Sequence, residues 1–429
     1  MTEPAPGRRI LIATPWMGFW EVGTKGGVPD EYLTFQALVR RGHELHVVAP
    51  AGAEYALPGD GPGTLTVHHV QYPAQRWRGK WKGQLGRIRD LVAARQAYGG
   101  QGGAIARQIR PDLILAHTFH TAPWMARVGA AMGVPVVGKF FGVLELNTQW
   151  SPELLHRLRH WEHYLAFQAP LTCVIVLDDG TGGDEAARRL GVPADRLRFW
   201  PNGTNVEWGE LDLPAGGGDP GARARLGLAP DRIYTFTLAN LLPLKRLDRL
   251  LDALALLGGP EDPPITALIG GDGVMRAALE RQAAALRLGE RIRFLGPIDH
   301  EQVPELMAAA NIYVAPHDLT NAGIPTAEAM LCRLPVVAVD RGATRSLVQE
   351  SRTGLVVPPD DPRALAAALR QLANDPELRR RLGSAGHAFA RRHFVSWETR
   401  VGMEVELIES FLLTRPAPGP AVASAAHLS

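Results

Sequence analysis

The stretch "RRILIATP" at residues 8–15, with "PDEYLTFQALVRRG" at 29–42 and "HELHVVAP" at 43–50, decides the fold. The first segment is an aliphatic run closed by Pro15, as in a buried strand. In the second, Tyr32, Phe35, Leu38 and Val39 fall on one helical face, and Gly42 supplies the stop. The third is another apolar run. Between the first two lies the glycine-containing loop "GFWEVGTKGG", 18–27. A tight hairpin joins only antiparallel strands, so a strand, a helix and a strand in roughly forty residues read as a parallel βαβ crossover.

The alternation continues outward. "TLTVHHV", "DLILAH", "PVVGKFFG" and "TCVIVL" read as strands. Helices are predicted over most of 84–109, over "TAPWMARVGAAMG", over "SPELLHRLRHWEHYLAFQA" with Ser151 as N-cap, and over "DEAARRLG". Near-continuous apolar strands imply a parallel sheet covered by helices on both faces. "LDLPAGGGDPGARARLGLAPD", 211–231, is rich in Gly and Pro and reads as a linker. The alternation then restarts with "YTFTLAN", "ITALIG", "RIRFLG", "NIYVAP" and "PVVAV", separated by helices. The expectation is an α/β protein of two facing doubly wound Rossmann-like domains, 1–210 and 232–395. A last helix over 396–413 and a disordered tail over 414–429 complete it. Ligands of such sheets bind beyond the carboxyl ends of the strands, so the loops after the strands carry the chemistry.

A chain of 429 residues is long for one core. With 46% hydrophobic and 21% charged residues it is globular rather than disordered. A net charge of +2 gives no argument for nucleic acid. Cys173 and Cys332 are far apart and form no metal-ligand spacing, so neither a disulfide framework nor a zinc site is expected. No apolar run is long enough to span a membrane, and no secretory leader is evident, which reads as cytoplasmic.

The loops supply the candidate site. "DLTNAGIPTAEAM", 318–330, leaves a strand and enters a helix. Glu328 follows Pro325 by about a turn, which places it in the helix's first turn. Side chains lean toward a helix's N-terminus, so its carboxylate aims at the crevice. The amides of Ala322, Gly323 and Ile324 are donors at that helix start, ready for an anion. Lys245 in "LANLLPLKRLD" reaches the same place as a point charge. "LIGGDGVM" and "TKGGVPDE" contribute Gly271, Asp272, Gly26 and Gly27 for close backbone approach. His117 closes the strand in "ILAHTFHTAP". An anion beside a carboxylate that accepts hydroxyls suits a nucleotide phosphate next to its ribose.

The order of "RRGHELHVV", "LILAH", "PNG" at 201–203, "LLPLKRLDRLLDAL", "GGDG", "RIRFLGPIDHEQVPELMAAANIYVAP", "AEAMLCRLPVVAV", "TGLVVPPDDPRALAAAL" and "SWE" resembles the retaining GT-B glycosyltransferases of family 4. The resemblance spans nearly the whole chain and is strongest from about 233 to 400. It implies a nucleotide-diphosphate sugar as donor, retention at the anomeric carbon, and neither cofactor nor metal; a small-molecule acceptor, such as a secondary metabolite, is the expectation beside it. By the same resemblance Glu328 holds the ribose, Lys245 and the amides near Gly323 neutralise the diphosphate, and Gly27 approaches it from the other domain. His117 contacts the sugar, Phe294 in "RIRFLG" flanks the base, and the last helix packs back on the first domain. Two positions depart from the family pattern. Thr320, beside Asn321, stands where the family has Glu, and Asn240 where it has a phosphate-binding Arg. Thr320 keeps a hydroxyl but loses a charge-assisted bond. An altered donor sugar is the expectation, and a catalytically impaired nucleotide-sugar-binding partner the alternative.

The acceptor is less defined. Trp16, Trp20 and Trp124 lie near strand ends, where aromatic faces suit sugar or cyclitol rings, and Lys139 is a further acceptor candidate. The basic "QRWRGKWKGQLGRIRD", 75–90, interleaves Trp77 and Trp81. That pattern fits a solvated face, an anionic small acceptor, or an anionic membrane surface on which the enzyme would act peripherally on a lipid or cell-envelope acceptor. Oligomeric state is not legible.

Overall fold

In the computed structural model the described residues are 7–19, 30–57, 61–72, 84–141, 143, 160–178, 181–259, 262–318, 323–341 and 344–413. The first sheet holds seven strands: β1 (Arg9–Ala13), β2 (Glu44–Pro50), β3 (Thr64–Val70), β4 (Leu113–His117), β5 (Val136–Phe140), β6 (Cys173–Asp178) and β7 (Leu197–Pro201). A short β8 (Gly203–Thr204) follows. The second sheet holds β9 (Ile233–Leu238), β10 (Ile265–Gly270), β11 (Ile292–Gly296), β12 (Ile312–Ala315), β13 (Val336–Val339) and β14 (Gly354–Val357).

Both sheets are wholly parallel. Their orders are β3-β2-β1-β4-β5-β6-β7 and β11-β10-β9-β12-β13-β14. Each therefore reverses direction once, between β1 and β4 and between β9 and β12, which is the doubly wound arrangement. The apolar strand runs explain it. Ile10 and Ile12 join one core with Leu45, Val47, Leu113 and Leu115, while Leu11 and Ala13 join another with Val48, Ile114 and Ala116. The strand edges β7 and β14 were not read as strands from the sequence.

The region read as a linker is folded onto the second domain. Helix Pro220–Arg225 is capped by Asp219, whose side chain accepts from the Ala222 amide. Arg223 is buried and donates to Ala309 O at 3.0 Å, Pro230 O at 2.8 Å and Asn311 Oδ1 at 2.5 Å. The glycines that suggested flexibility serve contact instead: a Cβ on Gly217, at φ +68°, would lie 1.9 Å from Ala310 O.

The last helix, Trp397–Leu413, packs on the first sheet. Val401, Val405, Ile408 and Leu412 belong to the same core as Ile10 and Val47. Lys139 Nζ, on β5, donates at 2.8 Å to both carboxylate oxygens of Glu404. A two-residue strand, β15 (Val395–Ser396), pairs in parallel with β8 just before that helix. The chain thus passes between its halves at two adjacent places.

Candidate active site

The switch point of the second sheet gathers the strongest candidates. Leaving β9, Ala239–Leu242 leads into a 3-10 turn, Pro243–Lys245. Leaving β12, Pro316, His317 and Asp318 lead toward helix Ile324–Leu331. His317 Nδ1 donates to Lys245 O at 3.1 Å and ties the two loops together. A carbonyl only accepts, so Nδ1 carries the proton. Burial and the Lys245 charge lower the His317 pKa to about 4, so the ring is neutral and Nε2 is bare.

Lys245 is partly buried, and burial alone lowers its pKa to about 8. Its ammonium has no acidic partner among the described residues. The neighbouring arginines are committed. Arg246 donates to Asp248, Asp318 and Asp360. The buried Arg249 pairs with Asp318 at 2.7 Å and with Asp360. Asp318 is thereby held by these two guanidiniums, with that of Arg341 at 3.9 Å. Asn240 is exposed at the end of β9, and neither Arg246 nor Arg249 is available to replace the charge it lacks.

Glu328 lies in the second turn of its helix, not the first, because the helix begins at Ile324. The carboxylate is 4% exposed and accepts from Asn205 Nδ2 at 2.6 Å. Burial raises its pKa to about 8, an effect the Asn205 bond opposes. Asn205 was not singled out in the sequence. The only signal for it was its position two residues beyond the "PNG" loop, after a strand that was itself not read.

Gly323 sits at φ +60° before that helix, where a Cβ would meet the Leu347 side chain at 2.3 Å. Gly271, at φ +112°, lies against the β9 loop, and a Cβ there would lie 2.0 Å from Ala239 O. The Leu241 amide donates to Asp272 O and the Met275 amide to Leu241 O. The "GGDG" loop therefore braces the Ala239–Leu242 loop. The Asp272 side chain is exposed and accepts from the Gly273 amide. Phe294 lies under the Arg276 guanidinium at 4.7 Å from its centroid.

In the first domain His117 ends β4 at the sheet's switch point and is 1% exposed. Its Nδ1 lies 2.6 Å from Glu31 Oε1. Glu31 was not read as a site residue. It lies on helix Asp30–Arg40, which follows the "GG" loop. Lys139 is next to His117 in strand register but is 1% exposed and directed to Glu404, so its charge is answered within the fold. Trp16 is partly buried, and its carbonyl accepts from the Tyr55 hydroxyl. Gly26, Gly27, Trp20, Trp77, Trp81, Thr320, Asn321 and Ala322 lie outside the described residues.

Among the described residues one group, His160, Glu162 and His163, offers three metal-ligand atoms within 4.8 Å of one another. It sits at the start of helix Trp161–Phe167, where the helix dipole opposes a cation. No helix among the described residues is long and apolar enough to cross a membrane.

Comparison with known proteins bears on this geometry. Residues 220–389 match the family "Glycosyl transferases group 1", and residues 32–203 match "Glycosyl transferase 4-like domain". The chain is 32% identical over 340 residues to a D-inositol 3-phosphate glycosyltransferase of Streptomyces coelicolor, covering 75% of this chain and 68% of that one. A protein of the same name from Xylanimonas cellulosilytica is 29% identical, covering 92% and 94%. For two further Streptomyces relatives the match spans 65% of their length. Among solved structures, sucrose-phosphate synthase from Thermosynechococcus elongatus superposes with a TM-score of 0.70 at 22% identity, covering 95% of this chain and 100% of that one. Anabaena HepE in complex with UDP-glucose gives 0.63 at 21%, covering 94% and 99%. At such identities these two speak for the fold.

Proposed function

Since the chain belongs to the group 1 glycosyltransferases and has their GT-B fold, we propose that it moves a sugar from a nucleotide-diphosphate donor to a small hydroxylated acceptor, with retention. The observation that carries this is the Lys245 ammonium at the second switch point, which has no acidic partner among the described residues, with Glu328 on the helix that follows the other switch-point loop. Lys245 and the amides at the Ile324–Leu331 helix start would take the diphosphate as it leaves, stabilising the charge that develops there. Glu328 would turn from Asn205 to the ribose hydroxyls. Because the relatives are named for inositol 3-phosphate, a cyclitol or its phosphate is the acceptor class to try first.

The test is a thermal-shift panel of nucleoside diphosphates and their sugars, followed by turnover with inositol and inositol phosphates. Binding to the folded state raises the melting temperature by mass action, so the preferred donor stands out. A bound donor without turnover on any acceptor would favour a binding partner over an enzyme. No shift with any nucleotide would overturn the donor assignment. Thr320→Glu should change sugar preference more than nucleotide affinity.

A further inference from the structure

We propose that Glu31 is a positioning residue that sets which nitrogen of His117 faces the donor sugar. The inference rests on the placement of His117 at that sugar. It adds a residue that neither the sequence motifs nor the likeness to other proteins assigns.

The His117 ring lies between Phe35, at 6.0 Å between centroids, and Phe141, at 6.3 Å. Its Nδ1 lies 2.6 Å from Glu31 Oε1, with both side chains almost wholly buried. Within this pocket a carboxylate can only accept, so the proton must be on Nδ1. The remaining nitrogen, Nε2, is buried and has no hydrogen-bond partner among the described residues. A buried polar atom without a partner is costly. Here it is the one atom of the ring left for a ligand. With the proton held on Nδ1, Nε2 is an acceptor and can take a hydrogen bond from a sugar hydroxyl.

The carboxylate also has the support to stay where it is. It lies in the first turn of helix Asp30–Arg40, where the helix dipole favours negative charge. Its field reaches the buried Tyr55, whose pKa is raised first by burial and then by Glu31. Glu31 comes from the helix and His117 from the strand across the switch point, 86 residues apart. A displacement of the helix start would therefore move the ring's acceptor, and misplacement by about 1 Å at a reacting centre costs on the order of 100-fold in rate.

Glu31→Gln separates orientation from packing. An amide of nearly the same shape can accept from Nδ1–H with its oxygen or donate to a bare Nδ1 with its nitrogen. The ring is then free to divide between tautomers, and in one of them Nε2 becomes a donor. The primary readout needs no substrate: nitrogen NMR of the histidine-labelled full chain, with the His117 signals assigned by their loss in His117→Ala. The wild type should show a single neutral tautomer protonated at Nδ1, and Glu31→Gln a mixture. Equal protonation of both nitrogens in the wild type, or the same spectrum in both proteins, overturns the proposal. In turnover, Glu31→Gln should lower kcat roughly 10–100-fold while UDP affinity stays within about twofold. Glu31→Gln should have no further effect in a His117→Ala background. Additive losses would show that Glu31 acts on stability rather than through His117. Absence of turnover in the wild type with every nucleotide sugar would instead count against the glycosyl-transfer reading, and the NMR comparison would still decide the role of Glu31.

Discussion

Replacing Glu328 by Gln should stabilise the free protein near pH 8 and leave it almost unchanged near pH 5. Burial raises the Glu328 pKa from 4.5 to about 8. Between those values the folded chain keeps a proton that the unfolded chain has released. Each unit of this mismatch costs about 1.4 kcal/mol. The sign follows from linkage: a group whose folded pKa is raised favours folding most below pH 4.5, and the benefit is lost as pH rises through 8. The cost is therefore under about 1 kcal/mol at pH 5 and roughly 4 kcal/mol at pH 8, a difference of about 3 kcal/mol. Gln is neutral throughout, and its amide oxygen can still accept from Asn205 Nδ2. Chemical denaturation followed by tryptophan fluorescence at pH 5, 6, 7 and 8 reads the gap between wild type and Glu328→Gln, in which all other titrations cancel. The gap should widen steadily with pH. Asn205→Ala should widen it further, because the Asn205 bond holds the Glu328 pKa down. In the Glu328→Gln background Asn205→Ala should leave the pH dependence flat. A constant gap from pH 5 to 8 would mean that the carboxyl is solvated in the free protein, and that burial does not raise its pKa.

Nucleotide affinity should be level below pH 8 and fall by about tenfold per unit above it, since free Lys245 titrates at about 8 and a bound diphosphate holds the proton on. Calorimetry with UDP from pH 7 to 9.5 checks this, and Lys245→Ala should abolish the slope. Gly271→Ala should lower the melting temperature, because a Cβ at φ +112° meets Ala239 O at 2.0 Å. The expected cost is on the order of 1–3 kcal/mol or more, and wild-type melting would refute the bracing role of the loop. Glu404→Ala should destabilise by roughly 3–5 kcal/mol, since it leaves the Lys139 charge buried beside Arg400. Lys139→Met in the Glu404→Ala background should recover only the part of that loss that comes from Lys139, because Arg400, buried on the same carboxylate, stays without it, and no recovery in a urea titration would refute the Lys139 contribution.

Much of the architecture was legible because strands buried on both faces leave long apolar runs, and crossover helices leave a 3.6-residue period between them. "RRILIATP", "ITALIG" and "PVVAV" needed no partner to be read. β7 was missed because "LRFWP" mixes Arg and Trp at a sheet edge, where only one side needs covering. That the 211–231 segment packs on the second domain was not legible, because glycine marks tight backbone contact as well as flexibility. Gly217 against Ala310 O is the former.

The sequence alone determined the two parallel-sheet domains and the strand ends that bear Lys245, Glu328 and His117. Those follow from local pattern and the fixed geometry of βαβ units. Only the tertiary structure decided which group each of them meets. Asn205 reaches Glu328 across 123 positions, Glu31 reaches His117 across 86 and Glu404 reaches Lys139 across 265. Hydrogen bonds and buried charges depend on distances of a few ångströms between remote segments. No periodicity along one segment records a partner brought to it by the packing of another.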